Sequence, residues 1–297
     1  MGRHLSLTDA QIEQRRSGIG GSEIAAVVGM SPFASPMQVW MEKVHGERRE
    51  QNDRMRLGVL LEPVVLALYV DETGAELTLA ESLGTLQHPT VRHALATPDA
   101  IALVDGERRL VEAKACAWRK RSEWGEPGTD EVPPHYLLQV QWTMAVAGLE
   151  RADVAVLFGG EKLERYEVCA DPELQAWLIA ESGRWWARHV EGGEPPPIDG
   201  SEAATRWLQR IEHKRPALLE ATPEALDWAQ MHRRAKAAAK TAKADADLAG
   251  NQLRALIGED EGIQGERWRA TWKADKRGRR TLRVTWMDDN NGEGEDE

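Results

Sequence analysis

The stretch Thr97-Pro98-Asp99-Ala100-Ile101-Ala102-Leu103-Val104-Asp105-Gly106-Glu107-Arg108-Arg109-Leu110-Val111-Glu112-Ala113-Lys114-Ala115-Cys116 decides how the chain is read. Asp105-Gly106 stands between two apolar-leaning runs. Both central residues of a type I′ turn need positive φ, which Asp-Gly tolerates, so the pair predicts a two-residue hairpin. Register then follows, with facing residue numbers summing to 211: Val104 opposite Glu107, Ile101 opposite Leu110, and Asp99 opposite Glu112. Facing residues have Cβ atoms ~4.5–5.5 Å apart, and like charges there repel. A divalent cation turns that repulsion into attraction, so the pair predicts a hard-cation site. Strand side chains alternate, so Lys114 shares the face of Glu112, while Val111, Ala113 and Ala115 are expected to point into the core. A lysine beside such a site can orient or deprotonate water, or stabilise charge on a phosphate.

Further candidates lie on either side. Glu62, in Arg56-Leu57-Gly58-Val59-Leu60-Leu61-Glu62-Pro63, has Gly58, Val59, Val65, Leu66 and Tyr69 as its helical neighbours. On an apolar face a carboxylate needs a partner, and a metal or its water shell would serve. The alternative is a kink or helix restart at Pro63, with Glu62 as a first-turn acid. Gln139 sits among apolar residues of Leu137-Leu138-Gln139-Val140-Gln141-Trp142, and if buried its amide must be bonded, to Lys114 or to a phosphate. Between Trp118 and Pro134, the residues Arg119, Lys120, Arg121 and Trp124 predict a basic, aromatic loop able to follow a nucleic-acid backbone, with an ordinary solvated loop as the alternative.

Composition sets the frame. The chain has 297 residues, 41% of them hydrophobic, which suits a globular fold with ample core. No apolar run reaches the ~18–20 residues of a membrane span. The first residues carry no apolar signal segment, and Cys116 and Cys169 are the only cysteines, so a reducing cytoplasmic setting and two half-buried structural thiols are expected. Net charge is −11, but Asp288–Glu297 holds six acids and no base, leaving −5 elsewhere. That acidity argues against a DNA-coating protein more than against a DNA-cutting one, which places carboxylates for its metals.

The order of elements predicts an α/β domain with a mixed central sheet flanked by helices. Helices are expected over 22–29, 36–44, 53–72, 134–147 and 172–189, and strands near 76–80, 93–97, 100–104, 108–116, 153–158 and 163–168. Gly192–Glu202, rich in Pro and Gly, reads as a linker. The expected division is a core over 1–195, a helical segment and basic strand pair over 196–287, and an acidic tail over 288–297. In the second part 223–257 favours helix. Lys273, Lys276, Arg277, Arg279, Arg280 and Arg283 form a basic cluster suited to a DNA backbone or to the acidic tail.

These motifs, taken in order, resemble the YqaJ-type viral recombinases, relatives of phage lambda exonuclease within the PD-(D/E)xK nucleases. The likeness rests on residues 15–33 (RRSGIGGSEIAAVVGMSPF), 57–63 (LGVLLEP), 97–100 (TPDA) with 111–114 (VEAK), and 133–148 (PPHYLLQVQWTMAVAG), and it extends over about 12–190. The resemblance implies a PD-(D/E)xK core; the C-terminal helical and β-hairpin extension, read from its own residues, lies outside the matched motifs. It implies that Asp99 and Glu112 bind Mg²⁺ (Mn²⁺ substituting) with the Ala113 carbonyl, and that Glu62 adds a metal or metal-water ligand. Lys114 would act on the nucleophilic water and Gln139 would orient the site. It also implies that Arg15 and Ser22 hold the 5′-terminal phosphate. A glycine-rich helix start and a forked guanidinium suit that anion, although Ser22 is equally a plain helix cap. The implied activity is 5′-to-3′ digestion of duplex DNA ends in phage-type recombination. A single-strand annealing protein is the implied partner, and some relatives form trimeric rings. The other readings are a PD-(D/E)xK endonuclease of restriction or repair, a non-catalytic DNA-binding recombination accessory, and a metal-stabilised structural domain.

Overall fold

Asp105 and Gly106 do turn the chain, with φ of 51° and 81°, the two positive values a type I′ turn demands. The computed structural model that shows this describes residues 9–47, 52–211, 218–275 and 278–286. Lys276, Arg277 and the acidic tail 288–297 lie outside the described residues. The described residues fall into two units, Met1–Glu212 and His213–Glu297.

The first unit begins with helices α1 (Asp9–Arg16), α2 (Gly21–Val27) and α3 (Pro36–His45). Next come α4 (Asp53–Thr73), strand β1 (Glu76–Leu79), the short α5 (Ala80–Leu83), and strands β2 (Leu86–Gln87) and β3 (Leu95–Ala96). The hairpin strands are β4 (Ala100–Val104) and β5 (Glu107–Cys116); a 3₁₀ turn (Trp118–Glu123) leads to α6 (Pro134–Ala147). Strands β6 (Arg151–Phe158) and β7 (Lys162–Cys169), α7 (Pro172–Trp185), a π-helical turn (Trp186–Glu191) and α8 (Glu202–Gln209) complete the unit.

The central sheet runs β1-β4-β5-β6-β7. Its one parallel pair, β5 with β6, is the pair joined through a helix, α6, as a parallel connection requires. The sheet is therefore mixed, as expected. The hairpin register is the predicted one: Val104 faces Glu107 and Ile101 faces Leu110, and the ladder ends at Ala100 with Val111.

Both sheet faces are covered. Val65, Leu66 and Tyr69 of α4 pack on Ala100, Ala102, Val111 and Ala155. On the other face Val140 and Met144 of α6 pack on Ile101, Leu110, Val154 and Val156. Ala115, expected in the core, is exposed, because β5 runs past the end of β4. A third core joins α2, α3, α6, α7 and α8 through Ile24, Met37, Trp40, Trp142, Leu178 and Ala203.

Two expectations about the first unit need correction. The boundary does not fall at 195: α8 returns to α3, burying Ala203 and Ala204 and setting Trp207 edge-on to Trp40 at 4.8 Å, so the unit runs on to 212. Cys169 is exposed rather than half-buried, while Cys116 is partly buried, which pushes its thiol pKa up.

The second unit is a 35-residue helix, α9 (Pro223–Ile257), followed by β8 (Gly262–Gln264), β9 (Trp268–Ala274) and β10 (Arg280–Trp286). The expected strand pair is thus a three-stranded sheet, β10-β9-β8. Among the described residues no helix is long and apolar enough to cross a membrane.

Candidate active site on the hairpin

The two acids meet where the ladder stops. Asp99 immediately precedes β4, and its Oδ2 accepts the Ala113 backbone N–H at 2.9 Å. Ala113 therefore turns its amide towards Asp99 beyond the last strand pair. Because a strand residue's N–H and C=O leave on the same side, its carbonyl faces that gap too. Glu112 is 3% exposed, on the face covered by α6. Its Oε1 accepts Lys114 Nζ at 2.6 Å and also the Gln139 amide, while Gln139 Oε1 lies 3.4 Å from Lys114 Nζ. Gln139 thus joins both, and its half-buried amide is bonded.

Electrostatics sets the character of the cluster. Burial, then the negative charges of Glu112 and Glu62, hold the Asp99 carboxyl well above the usual range, against the pull of Lys114 and the Ala113 N–H. Burial works to discharge Lys114, yet Glu112 and Asp99 overcome it and raise its pKa above the ordinary value. Lys114 is therefore an ammonium donor and not a base in this state. Its Nζ also lies 5.1 Å from the centre of the Tyr136 ring. Tyr136, whose own pKa burial and Cys116 push up to about 12, stands one helical turn before Gln139.

Glu62 sits on α4, which runs unbroken through Pro63, so the helix-restart alternative is excluded. Its surroundings are only partly buried: Val65, Leu66 and Tyr69 are buried but Val59 is 43% exposed. Glu62, Leu66, Leu77, Glu81 and Asp99 line an open groove of about 300 Å³. Glu81 was not a candidate from sequence. It enters because the Asp99 carbonyl accepts the Ala80 N–H at 3.0 Å, drawing the start of α5 to the site. Among the described residues no three of His, Cys, Asp and Glu stand together as a metal-holding set.

The remaining candidates divide. Ser22 is exposed in the first turn of α2, but it does not cap that helix: Glu23 closes a capping box on the Gly20 N–H at 2.7 Å. This helix start abuts the site. A Cβ on Gly21 would fall 2.6 Å from Thr143 Oγ1 and 3.5 Å from the carbonyl of Gln139. Arg15, in the last turn of α1, is exposed, and its carbonyl accepts Lys43 Nζ, which also pairs with Glu23 at 2.7 Å.

In the basic segment Arg119 is exposed, Lys120 pairs with Glu123, and Arg121 pairs with Glu164 and bonds the Trp124 carbonyl. Trp124 is not at the surface. It is 5% exposed, packed with Tyr136, Phe158 and Tyr166, so its ring has no free face for a base.

The mixed sheet carries Pro98-Asp99 at one hairpin strand and Glu112-Ala113-Lys114 on the other, the residues on which the resemblance to the PD-(D/E)xK nucleases rests. More particularly, residues 12–150 match the model of the YqaJ-like viral recombinase domain. YqaJ of Bacillus subtilis (strain 168) is 30% identical over 207 residues, which are 68% of this chain and 62% of that protein. The chain thus spans less than two thirds of the length of this curated relative. Among solved structures, LHK-Exo, an alkaline exonuclease from Laribacter hongkongensis, is 24% identical, covers 68% of this chain and 97% of its own, and superposes with a TM-score of 0.48. A phage related exonuclease from Haemophilus somnus 129PT is 13% identical over 60% of this chain and 96% of its own, with a TM-score of 0.43.

Proposed function

We propose that the chain is a divalent-metal-dependent deoxyribonuclease that digests duplex DNA from 5′ ends and leaves 3′ overhangs for phage-type recombination. One observation carries the reading: Asp99 and Glu112 converge at the end of the β4–β5 ladder, with Lys114 and Gln139 bonded to Glu112. The match of residues 12–150 to the YqaJ-like viral recombinase model supports it.

The donor set fits Mg²⁺, with Mn²⁺ as a substitute. Mg²⁺ prefers oxygen, keeps several waters, and is commonly held by only one or two carboxylates plus substrate phosphate. Asp99 and Glu112 with the Ala113 carbonyl would hold it, and Glu62 would bind one of its waters. Burial first, and then the negative charges of Glu112 and Glu62, raise the Asp99 pKa, and a cation there would offset them. When bound, the metal would supply an activated water and polarise the scissile phosphate.

The chain's own residues do the rest. Lys114, fixed by Glu112 and Gln139, donates to the attacking water or to a phosphate oxygen. The Ala113 N–H fixes the rotamer of Asp99. Ser22 and Arg15 are proposed to hold the 5′-terminal phosphate, supported by the approach of the α2 start to the Gln139 turn. Arg119, with Lys120 and Arg121, is proposed to follow the backbone; Trp124 has no part in it. A single-strand annealing partner, ring-like self-assembly and a cytoplasmic location belong to the same proposal.

The test is digestion of end-labelled linear duplex with Mg²⁺, comparing 5′-phosphate with 5′-hydroxyl ends. Nucleotides should leave from 5′ ends, faster with the phosphate, and closed circular DNA should survive. Cutting of circles would establish the endonuclease instead. Binding without any cutting would leave the accessory reading, and neither would leave a structural domain.

A further inference from the structure

The second unit as far as Trp286 carries a net charge opposite to the first, which the six acids of 288–297 then offset. Residues 1–212 hold 22 Lys and Arg against 33 Asp and Glu, whereas residues 213–286 hold 16 against 10. This excess is organised on one face of the small sheet. Facing residues on neighbouring strands share a face, and every second residue along a strand does too. Arg269, Thr271 and Lys273 of β9 therefore lie beside Thr285, Arg283 and Thr281 of β10, their register partners. The cations alternate between strands, Arg269, then Arg283, then Lys273, with a threonine hydroxyl opposite each. Neighbouring cations are thus diagonal pairs, roughly 7–8 Å apart at the backbone, close to the spacing of successive phosphates on a strand.

On the third strand the same face receives Gln264 beside Arg269 and Gly262 beside Thr271. Gly262 is required there, since a Cβ would meet the Ala270 carbonyl at 2.4 Å, and its lack of a side chain keeps the face flat. The carboxylate of Glu261 pairs with Lys273 at 2.9 Å. Arg269 and Arg283 are exposed. The opposite face is committed to packing: Ala270 is fully buried, and Arg280 lies over Trp272 at 3.8 Å while bonding the carbonyls of Trp272, Gly258 and Asp260. The helix adds to the positive field. Arg233, Lys236, Lys240 and Lys243 fall at steps of three, four and three, one exposed stripe of α9, with no acid between Trp228 and Ala244.

We propose that the outer β8–β10 face, centred on Arg269 and Arg283, binds the DNA phosphodiester backbone as a second contact outside the family domain. Guanidinium, ammonium, hydroxyl and amide donors are the groups that contact phosphate oxygens without reading sequence. The proposal rests on the reading that this chain works on DNA, but it does not depend on the hairpin site being catalytic.

The experiment is a salt titration of binding, by fluorescence anisotropy, of the full chain to a labelled 30-base-pair duplex and to the matching single strand, in EDTA so that no cleavage intervenes. Arg269→Glu/Arg283→Glu should weaken duplex binding at least tenfold and make the log–log salt slope shallower by about 2, since each phosphate contact contributes about 0.9. The milder Arg269→Ala/Arg283→Ala pair should do the same in part, which guards against a misfolded sheet. Arg184→Glu/Arg188→Glu in the first unit makes the same net-charge change and should leave the slope as it is. Wild-type affinity and slope in both Arg269/Arg283 pairs, or an equal loss in the control, would overturn the proposal. If wild type cleaves DNA with Mg²⁺ while these pairs bind normally, this inference alone falls. If wild type cleaves nothing while they bind weakly, the nuclease reading falls and this one stands.

Discussion

Lys114 holds the chemistry of the hairpin together, because three neighbours are arranged around its charge. Replacing it with Ala leaves the buried Glu112 carboxylate with Gln139 alone and removes the donor proposed for the reacting phosphate. Cleavage should fall by about 10²–10³-fold, the usual loss for a preorganised donor, measured as initial rates on linear duplex. Asp99 makes a pH prediction whose sign can be worked through. Its raised pKa means that the folded state holds the proton more tightly than the unfolded chain does. Stability of the metal-free protein should therefore fall as pH rises from the ordinary aspartate range through the raised value. Asp99→Asn keeps an acceptor for the Ala113 N–H and removes the charge. Melting in EDTA at pH 8 should move upward in this variant, and a fall would contradict the electrostatic picture. At this scale the sequence was informative about the acids, because Asp105-Gly106 admits little besides a I′ turn and the register followed. It was silent on Glu81 and on the bond from Gln139 to Glu112, which depend on how α5 and α6 return to the sheet.

At the scale of elements, the site depends on α6 being held close. Gly21 lets α2 approach the turn carrying Gln139, where Thr143 bonds the Gln139 carbonyl at 2.9 Å. Gly21→Ala should cost about 1–3 kcal/mol by overpacking, and adding Thr143→Ala should return part of it; denaturant melts of the single and double variants read this directly. Trp124 is the contrary case. As a core residue its replacement by Ala should cost about 3–5 kcal/mol and change DNA affinity little, the reverse of what a stacking residue would do. Sequence placed it in a loop correctly, since the residues around it are polar and basic. A lone aromatic in such a segment gives no sign of whether it faces solvent or dips inward beneath Tyr136. Helix and strand positions were otherwise readable where a pattern or a helix-favouring composition was sustained, as at 134–147 and 223–257, and unreadable for short pieces such as α5, β8 and the 3₁₀ turn, which carry too few residues for either.

For the whole molecule, the Pro/Gly-rich 192–202 stretch invited a boundary that the structure does not place there. Composition marks an irregular segment; whether a domain ends there depends on what the following helix packs against. Ala203 and Ala204 are small enough to bring α8 onto α3, and nothing local to them announces that contact. The mixed sheet, by contrast, was legible as a whole because one helical crossover between strands forces one parallel pair.

The most direct test of the central claim is Mn²⁺ binding by calorimetry to the wild-type chain and to Asp99→Asn and Glu112→Gln, run beside duplex cleavage in the same metal. The account predicts that wild type binds Mn²⁺ and cuts, and that each substitution abolishes both while the protein stays folded. Mn²⁺ binding of wild-type strength in either variant, or cleavage that persists without it, would contradict the account.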